Sequence, residues 1–256
     1  MTKVIPHIFV SMLLFVMNGH FAWTQVESIS LRAMVTLKNP SPKKIYRVID
    51  EGKQGDWQYD ADDKESEPNV GTILASANRA VTGRFKRLFD YQKGVNIDWF
   101  LPSAIWSGTV NEAFLHALSV SERVNFGAKI YRIEPITITP KQLVNPRRVN
   151  LRFQNTTLQA KNGLNRVKVI QIEDIPELSL VGTLTLDGNA ANTKIPNPLG
   201  QGGEAFLHII APSNHPKSKL TIGSVTFRNM PMCGINIFTR NDEQDKGYDR
   251  VVVKSF

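Results

Sequence analysis

Three carboxylates, one histidine and two arginines in the C-terminal half could do chemistry: Asp174, Asp187, Glu204, His208, Arg228 and Arg240. Two carboxylates facing each other across a groove are the equipment of glycoside hydrolysis, one as acid and the other as base or nucleophile. Asp187 is the sharpest candidate, in Leu186-Asp-Gly-Asn189. The same residues also read as turn chemistry, with the carboxylate bonded to nearby amides. His208 lies between Leu207 and Ile209. If those two point inward it points out, either to contact a sugar and move a proton or as an ordinary surface histidine. Arg228 and Arg240 could each hold a carboxylate in bidentate fashion or lie on a solvated face.

Other chemistries lack their residues. There is no glycine-rich phosphate loop, no Gly-x-Ser-x-Gly elbow and no His-Glu-x-x-His. Cys233 is the single cysteine, so no internal disulfide can form; beside a turn, it reads as a buried, inert thiol. No Cys/His cluster has zinc spacing, and no metal site is assigned. The acidic run Asp60, Asp62, Asp63, Glu65 and Glu67 could be a calcium loop, but it lacks the glycine and ligand spacing of an EF-hand and reads as a solvated loop. No cofactor is called for; calcium remains possible without a motif.

The elements that must position these residues are short strands. Ile170-Gln-Ile172, Leu178-Ser-Leu180, Leu184-Thr-Leu186, Leu207-His-Ile209, Leu220-Thr-Ile222, Val225-Thr-Phe227, Ile235-Asn-Ile237 and Val251-Val-Val253 alternate apolar and other residues. Ile209 and Ile237, like Ile222 and Val253, recur at about 30 residues, a solenoid-like period. The expectation is an all-β right-handed parallel β-helix with a β-rich N-terminal region and one capping α-helix. That helix spans Thr109 to Ser119, with a Thr109-x-x-Glu112 capping box and a stripe of Val110, Phe114, Leu115 and Leu118. His116 lies off the stripe and is expected to be exposed. Ile29 to Leu37 reads as a weak strand. Trp57, Trp99 and Trp106 could stack on sugars but read as packing residues.

Residues 1–24 read as a secretory signal peptide, with Lys3 ahead of an apolar stretch and Ala22-Trp-Thr24 before Gln25. The expected organisation is then 25–100 β-rich, 101–140 capping helix and first strands, and 141–256 rungs. The location is secreted or periplasmic, with no stable membrane insertion once the peptide is removed. The chain ends at Phe256 in mid-strand by its repeat, which reads as a truncated product with an open last rung and edge-to-edge self-association.

Several of these segments carry a family resemblance. Gly71-Thr-Ile-Leu74, Phe85-Lys-Arg87, Val95-Asn-Ile-Asp-Trp-Phe100, a helix, then Tyr131-Arg-Ile133 resemble the leading region of the pectate lyase superfamily. So do Leu184-Thr-Leu-Asp-Gly-Asn189, Val225-Thr-Phe-Arg-Asn-Met230 and Gly234-Ile-Asn-Ile237. The superfamily includes pectin-degrading enzymes, polygalacturonase-like hydrolases and phage tailspikes. The resemblance implies a polysaccharide partner, acidic and pectin-like, with lyase or hydrolase chemistry if the chain is active. The polygalacturonase signatures Asn-Thr-Asp, Gly-His-Gly and Arg-Ile-Lys are absent, and Asp-Asp occurs only as Asp62-Asp63, ahead of the strand repeats. A non-catalytic carbohydrate-binding or structural module is therefore the alternative.

The whole-chain balance fits either reading. The 256 residues are 41% hydrophobic and 21% charged, with a net charge of +8. That surplus favours polyanionic partners. The basic residues are scattered and no Lys/Arg-rich run forms a nucleic-acid arm, so nucleic acid is not expected.

Overall fold

The computed structural model describes residues 25–164, 168–193, 205–212, 217–238, 247–248 and 250–255. The signal-peptide reading of 1–24, and the candidates Glu204 and Arg240, lie outside the described residues. The chain begins with β1 (Gln25–Ile29), α1 (Leu31–Val35), β2 (Lys44–Val48), β3 (Gly55–Asp60), β4 (Ile73–Ala75) and β5 (Arg84–Leu88). These strands form a five-stranded sheet in the order β1-β2-β3-β5-β4, parallel only between β1 and β2. Alternation puts Tyr46, Val48, Trp57, Tyr59 and Phe85 on one buried face. Leu31, Met34 and Val35 of α1 pack on the same core.

The expected strand over Ile29 to Leu37 is thus replaced after Ile29 by a short helix, and α1 is a second helix beyond the expected one. The Ser30 hydroxyl accepts from the Ala33 amide, capping its first turn. The buried residues fall at i, i+3 and i+4, the helical spacing.

The rest of the chain continues with β6 (Val95–Asn96), α2 (Val110–Val120), β7 (Arg123–Phe126), β8 (Ile130–Ile133), β9 (Ile136–Ile138), β10 (Arg148–Ala160), β11 (Ile170–Glu173), β12 (Glu177–Asp187), β13 (Ala205–Ile210), β14 (Lys219–Arg228), β15 (Cys233–Phe238) and β16 (Arg250–Ser255). From β8 on, the chain passes alternately through two parallel sheets. One runs β16-β14-β12-β10-β7-β6 with β8 also on β10; the other runs β15-β13-β11-β9. The fold is therefore mostly β, with parallel pairing throughout this part. Register stacks like on like: Val124, Leu151, Leu180, Ile222 and Val253 in one row, Ile138, Ile172, Ile209 and Ile237 in another. Up to their last members, Val253 and Ile237, which are 38% and 41% exposed, these rows form the interior of the larger core.

Two expectations on the strands are corrected. Leu220–Ile222 and Val225–Phe227 belong to one strand, β14, and Leu178–Leu180 and Leu184–Leu186 to another, β12, bent at Gly182 with φ +98°. β10 bends likewise at Asn155, with φ +50°. The left-handed residue turns the backbone without breaking the ladder, and register skips there. At the far edge of the larger sheet, Val251 and Val253 of β16 are 48% and 38% exposed.

Helix α2 lies against β6, β7 and β8. Its capping box is present, with the Thr109 oxygen accepting from the Glu112 amide at 3.2 Å and the Glu112 carboxylate accepting from the Thr109 amide at 2.6 Å. Phe114 meets Phe126 edge-on at 5.3 Å. The buried face is Ala113, Phe114, Ala117 and Leu118; Val110 and Leu115 are its half-buried flanks. The small alanines let the helix approach closely, which moves the face by one residue. His116 is half-buried rather than exposed, edge-on to Trp106 at 6.0 Å.

The two cores meet across a cationic junction. Arg87 is 5% exposed on the inner face of β5. Its guanidinium lies over Trp57 at 4.5 Å and Trp99 at 4.3 Å, and donates to the carbonyls of Gly71, Gln54 and Lys53. Lys53 donates in turn to the carbonyls of Trp99 and Leu101. Burial lowers the Arg87 pKa to about 9. Burial, with the charge of Arg87 next, lowers that of Lys53 to about 8. Trp57 is fully buried and Trp99 half-buried, so both pack as expected.

Candidate functional site

Parallel register brings together residues that lie far apart in the chain. Arg132 of β8 sits opposite Gln159 of β10, Gln159 opposite Asp187 of β12, and Asp187 opposite Arg228 of β14. The residues before the first three, Tyr131, Leu158 and Leu186, are buried in the core, while Phe227, before Arg228, is 39% exposed. The four polar side chains therefore form one row across the outer surface, with neighbouring strands about 4.8 Å apart.

Asp187 is the centre of this row and is 1% exposed. One oxygen, Oδ2, accepts from Arg228 Nη2 at 2.7 Å, Arg228 Nε at 3.1 Å and Gln159 Nε2 at 3.1 Å. The other accepts from the Asn189 amide at 3.0 Å and Asn229 Nδ2 at 3.2 Å. Burial alone would raise the Asp187 pKa. The bonds from the Asn189 amide, Arg228, Gln159 and Asn229 outweigh it, and the carboxyl lies below its ordinary value. Such a group stays ionised and already engaged. It can order the turn that follows it but has no proton to give.

The turn reading of Asp-Gly-Asn holds, and the reach of Asp187 to two other strands is additional. Arg228 is not free on a solvated face. Its side chain is 53% exposed, yet it is committed to Asp187. Asn189, with φ +54°, continues the network: Nδ2 donates to the Ala160 carbonyl and to Asn162 Oδ1, and Oδ1 accepts from Asn192. Beside it opens a cleft of about 510 Å³ lined by Arg132, Gln159, Lys161, Asn162, Asn189 and Asn192.

The other candidates lie elsewhere. His208 is on the second sheet, opposite Gln171 and Asn236. It is 3% exposed, which corrects the surface reading. Alternation does turn it away from Leu207 and Ile209, but both faces of Ala205–Ile209 are covered. Its ring stacks on Phe238 at 6.1 Å. Burial, then the charge of Lys168, lowers its pKa, with Glu173 opposing. Asp174, with φ +54°, follows β11 on that same sheet. Asp187 and His208 are thus separated onto different sheets rather than brought together as an acid/base pair.

Cys233 is exposed rather than buried, because β15 is an edge strand whose first residue has no further neighbour in its sheet among the described residues. In the acidic run, Asp60 and Asp63 close on the Lys86 ammonium at 2.8 Å each. Asp60 and Asp63 also accept backbone amides of residues 62, 63, 65 and 66. An internal cation thus takes two of the carboxylates that suggested a calcium loop. No group of three or more metal-ligating side chains occurs among the described residues.

Arg132, Gln159, Lys161, Asn162, Asn189 and Asn192 were not singled out from sequence. A signal exists: Thr157-Leu-Gln159, Thr185-Leu-Asp187 and Thr226-Phe-Arg228 share a threonine, an apolar residue and a polar one. Aligning those triplets predicts the row from Gln159 to Arg228; Arg132, in Ile130-Tyr-Arg132, lacks the threonine. No family model matches the chain, and no curated protein matches it.

Proposed function

We propose that the chain is a right-handed parallel β-helix of the pectate lyase kind that binds polysaccharide without cleaving it. The observation that carries this reading is the outer row Arg132, Gln159, Asp187 and Arg228, repeated once per pass along the stack. A periodic ladder of polar side chains suits a linear polymer whose own groups repeat. The one carboxylate in the row is held ionised by Arg228 and amides, which favours binding over acid catalysis. Export through residues 1–24 belongs to the same proposal, as does edge pairing between copies through β16. Among the described residues no helix is long and apolar enough to cross a membrane.

The test has two halves. The protein is passed over immobilised acidic and neutral polysaccharides, and the same polymers are assayed for unsaturated products and reducing ends, with and without calcium. Retention without turnover is expected. Robust turnover abolished by Asp187→Asn would overturn the non-catalytic reading. Mass spectrometry of exported protein should find its first residue at or near Gln25.

A further inference from the structure

The geometry points to the cleft beside Asn189 as a binding site for a sugar carrying an oxyanion, a carboxylate or a sulfate ester. This rests on the polysaccharide reading above and narrows it to one place and one ligand chemistry. The argument is a count of donors and acceptors. Each of three amide oxygens in the cleft already accepts a bond: Gln159 Oε1 from Arg132 Nε, Asn162 Oδ1 from Asn189, and Asn189 Oδ1 from Asn192. Gln159 spends one of its two N–H donors on Asp187, and Asn189 spends both of its own, on the Ala160 carbonyl and on Asn162. What remains is mostly donors. Arg132 makes one contact, a 3.4 Å bond from Nε, and has no carboxylate partner among the described residues. The Asn162 amide nitrogen has no partner among them either.

Charge points the same way. The lining carries Arg132 and Lys161 and no acid. Lys161 is paired with Glu134, which offsets part of its charge. Arg132 is therefore the cation with capacity to spare, and its planar fork suits an oxyanion. The nearest carboxylate behind the cleft, Asp187, is neutralised by Arg228. Asn192, whose donor goes to Asn189, keeps its oxygen for a ligand hydroxyl. An anionic group and a hydroxyl on one molecule describe a sugar acid or a sulfated sugar.

The site is also built rather than casual. Gln159 is pinned by Asp187, Asp187 by Arg228, and Asn189 is 8% exposed in a left-handed conformation. The amides at the back of the cleft are thus held before a ligand arrives, which lowers the entropy cost of binding.

The test titrates 15N-labelled protein with trigalacturonic acid, a sulfated neutral trisaccharide and the unsulfated neutral trisaccharide. Side-chain amide signals of Gln159, Asn162 and Asn192 are followed. Retention on immobilised polygalacturonate is measured alongside. One or both anionic probes should shift these signals, and the neutral one should not. Which anionic probe acts separates carboxylate from sulfate. Arg132→Gln, at an exposed position, should weaken binding tenfold or more without altering the fold; Arg132→Lys should restore part of it. Lys93→Gln, whose side chain is 84% exposed elsewhere, should change nothing. Equal response to the neutral sugar, or unchanged affinity in Arg132→Gln, overturns the site. Polymer retained but insensitive to Arg132→Gln leaves the polysaccharide reading standing and removes the site. Amide shifts without polymer retention do the reverse.

Discussion

At the scale of single residues, His208 shows how a side chain's surroundings depart from its strand pattern. Leu207-His-Ile209 predicts an outward imidazole, and it is outward. Its burial comes from what lies over the sheet, which short-range alternation does not encode. The pH consequence follows from its lowered pKa. The unfolded histidine titrates near pH 6.5. The folded state therefore binds fewer protons over the interval below that value, and stability falls as pH drops through about 6.5, levelling off below the folded pKa. Thermal melts between about pH 7.5 and 5.5 should show a declining melting temperature, and His208→Gln should flatten that decline. Equal slopes in the two proteins would remove His208 as the cause. Asp187 was more legible than His208, because Asp-Gly-Asn names a turn. Its ligands Gln159 and Arg228 were not, since they lie 28 and 41 residues away and only register brings them near.

At the scale of elements, the capping box of α2 was legible because Thr109 and Glu112 are local. Helix α1 was not, since five residues hold too little of a helical period to distinguish it from a weak strand. The bend in β12 was misread as a gap between strands. Gly182 sits at φ +98°, and a Cβ there would come within 2.0 Å of the Phe153 carbonyl oxygen on the neighbouring strand. Gly182→Ala should therefore cost about 3 kcal/mol or more, from backbone strain and a clash with main chain. Gly163 is the control. It also has a positive φ, +81°, but nothing lies within 4 Å of its Cβ position, so Gly163→Ala should cost only about 1 kcal/mol. Urea unfolding of the two variants checks this. Similar losses would show that the close approach at Gly182 is relieved by a small shift of β10.

At the scale of the molecule, the parallel stack was legible from its repeats, while the way the N-terminal sheet attaches was not. That attachment depends on Arg87, a charged residue on an inner sheet face where alternation asks for an apolar one. Arg87→Leu would leave the carbonyls of Gly71, Gln54 and Lys53 without this donor, at a cost of about 3 kcal/mol or more. The N-terminal sheet should then melt before the stack. Tryptophan fluorescence, reporting Trp57 and Trp99, should change at a lower temperature than the far-ultraviolet dichroism. Coincident transitions in the variant would show that Arg87 does not join the two cores. The stacked register has a mechanical consequence as well. The hydrogen bonds between passes point along the stack, so tension applied along that direction loads one ladder at a time. Each pass is held chiefly by its two neighbours. Stretched in an optical trap, the chain should lengthen in a staircase, each step releasing about 30 residues and ~100 Å of contour, and it should rewind from whichever passes are still standing.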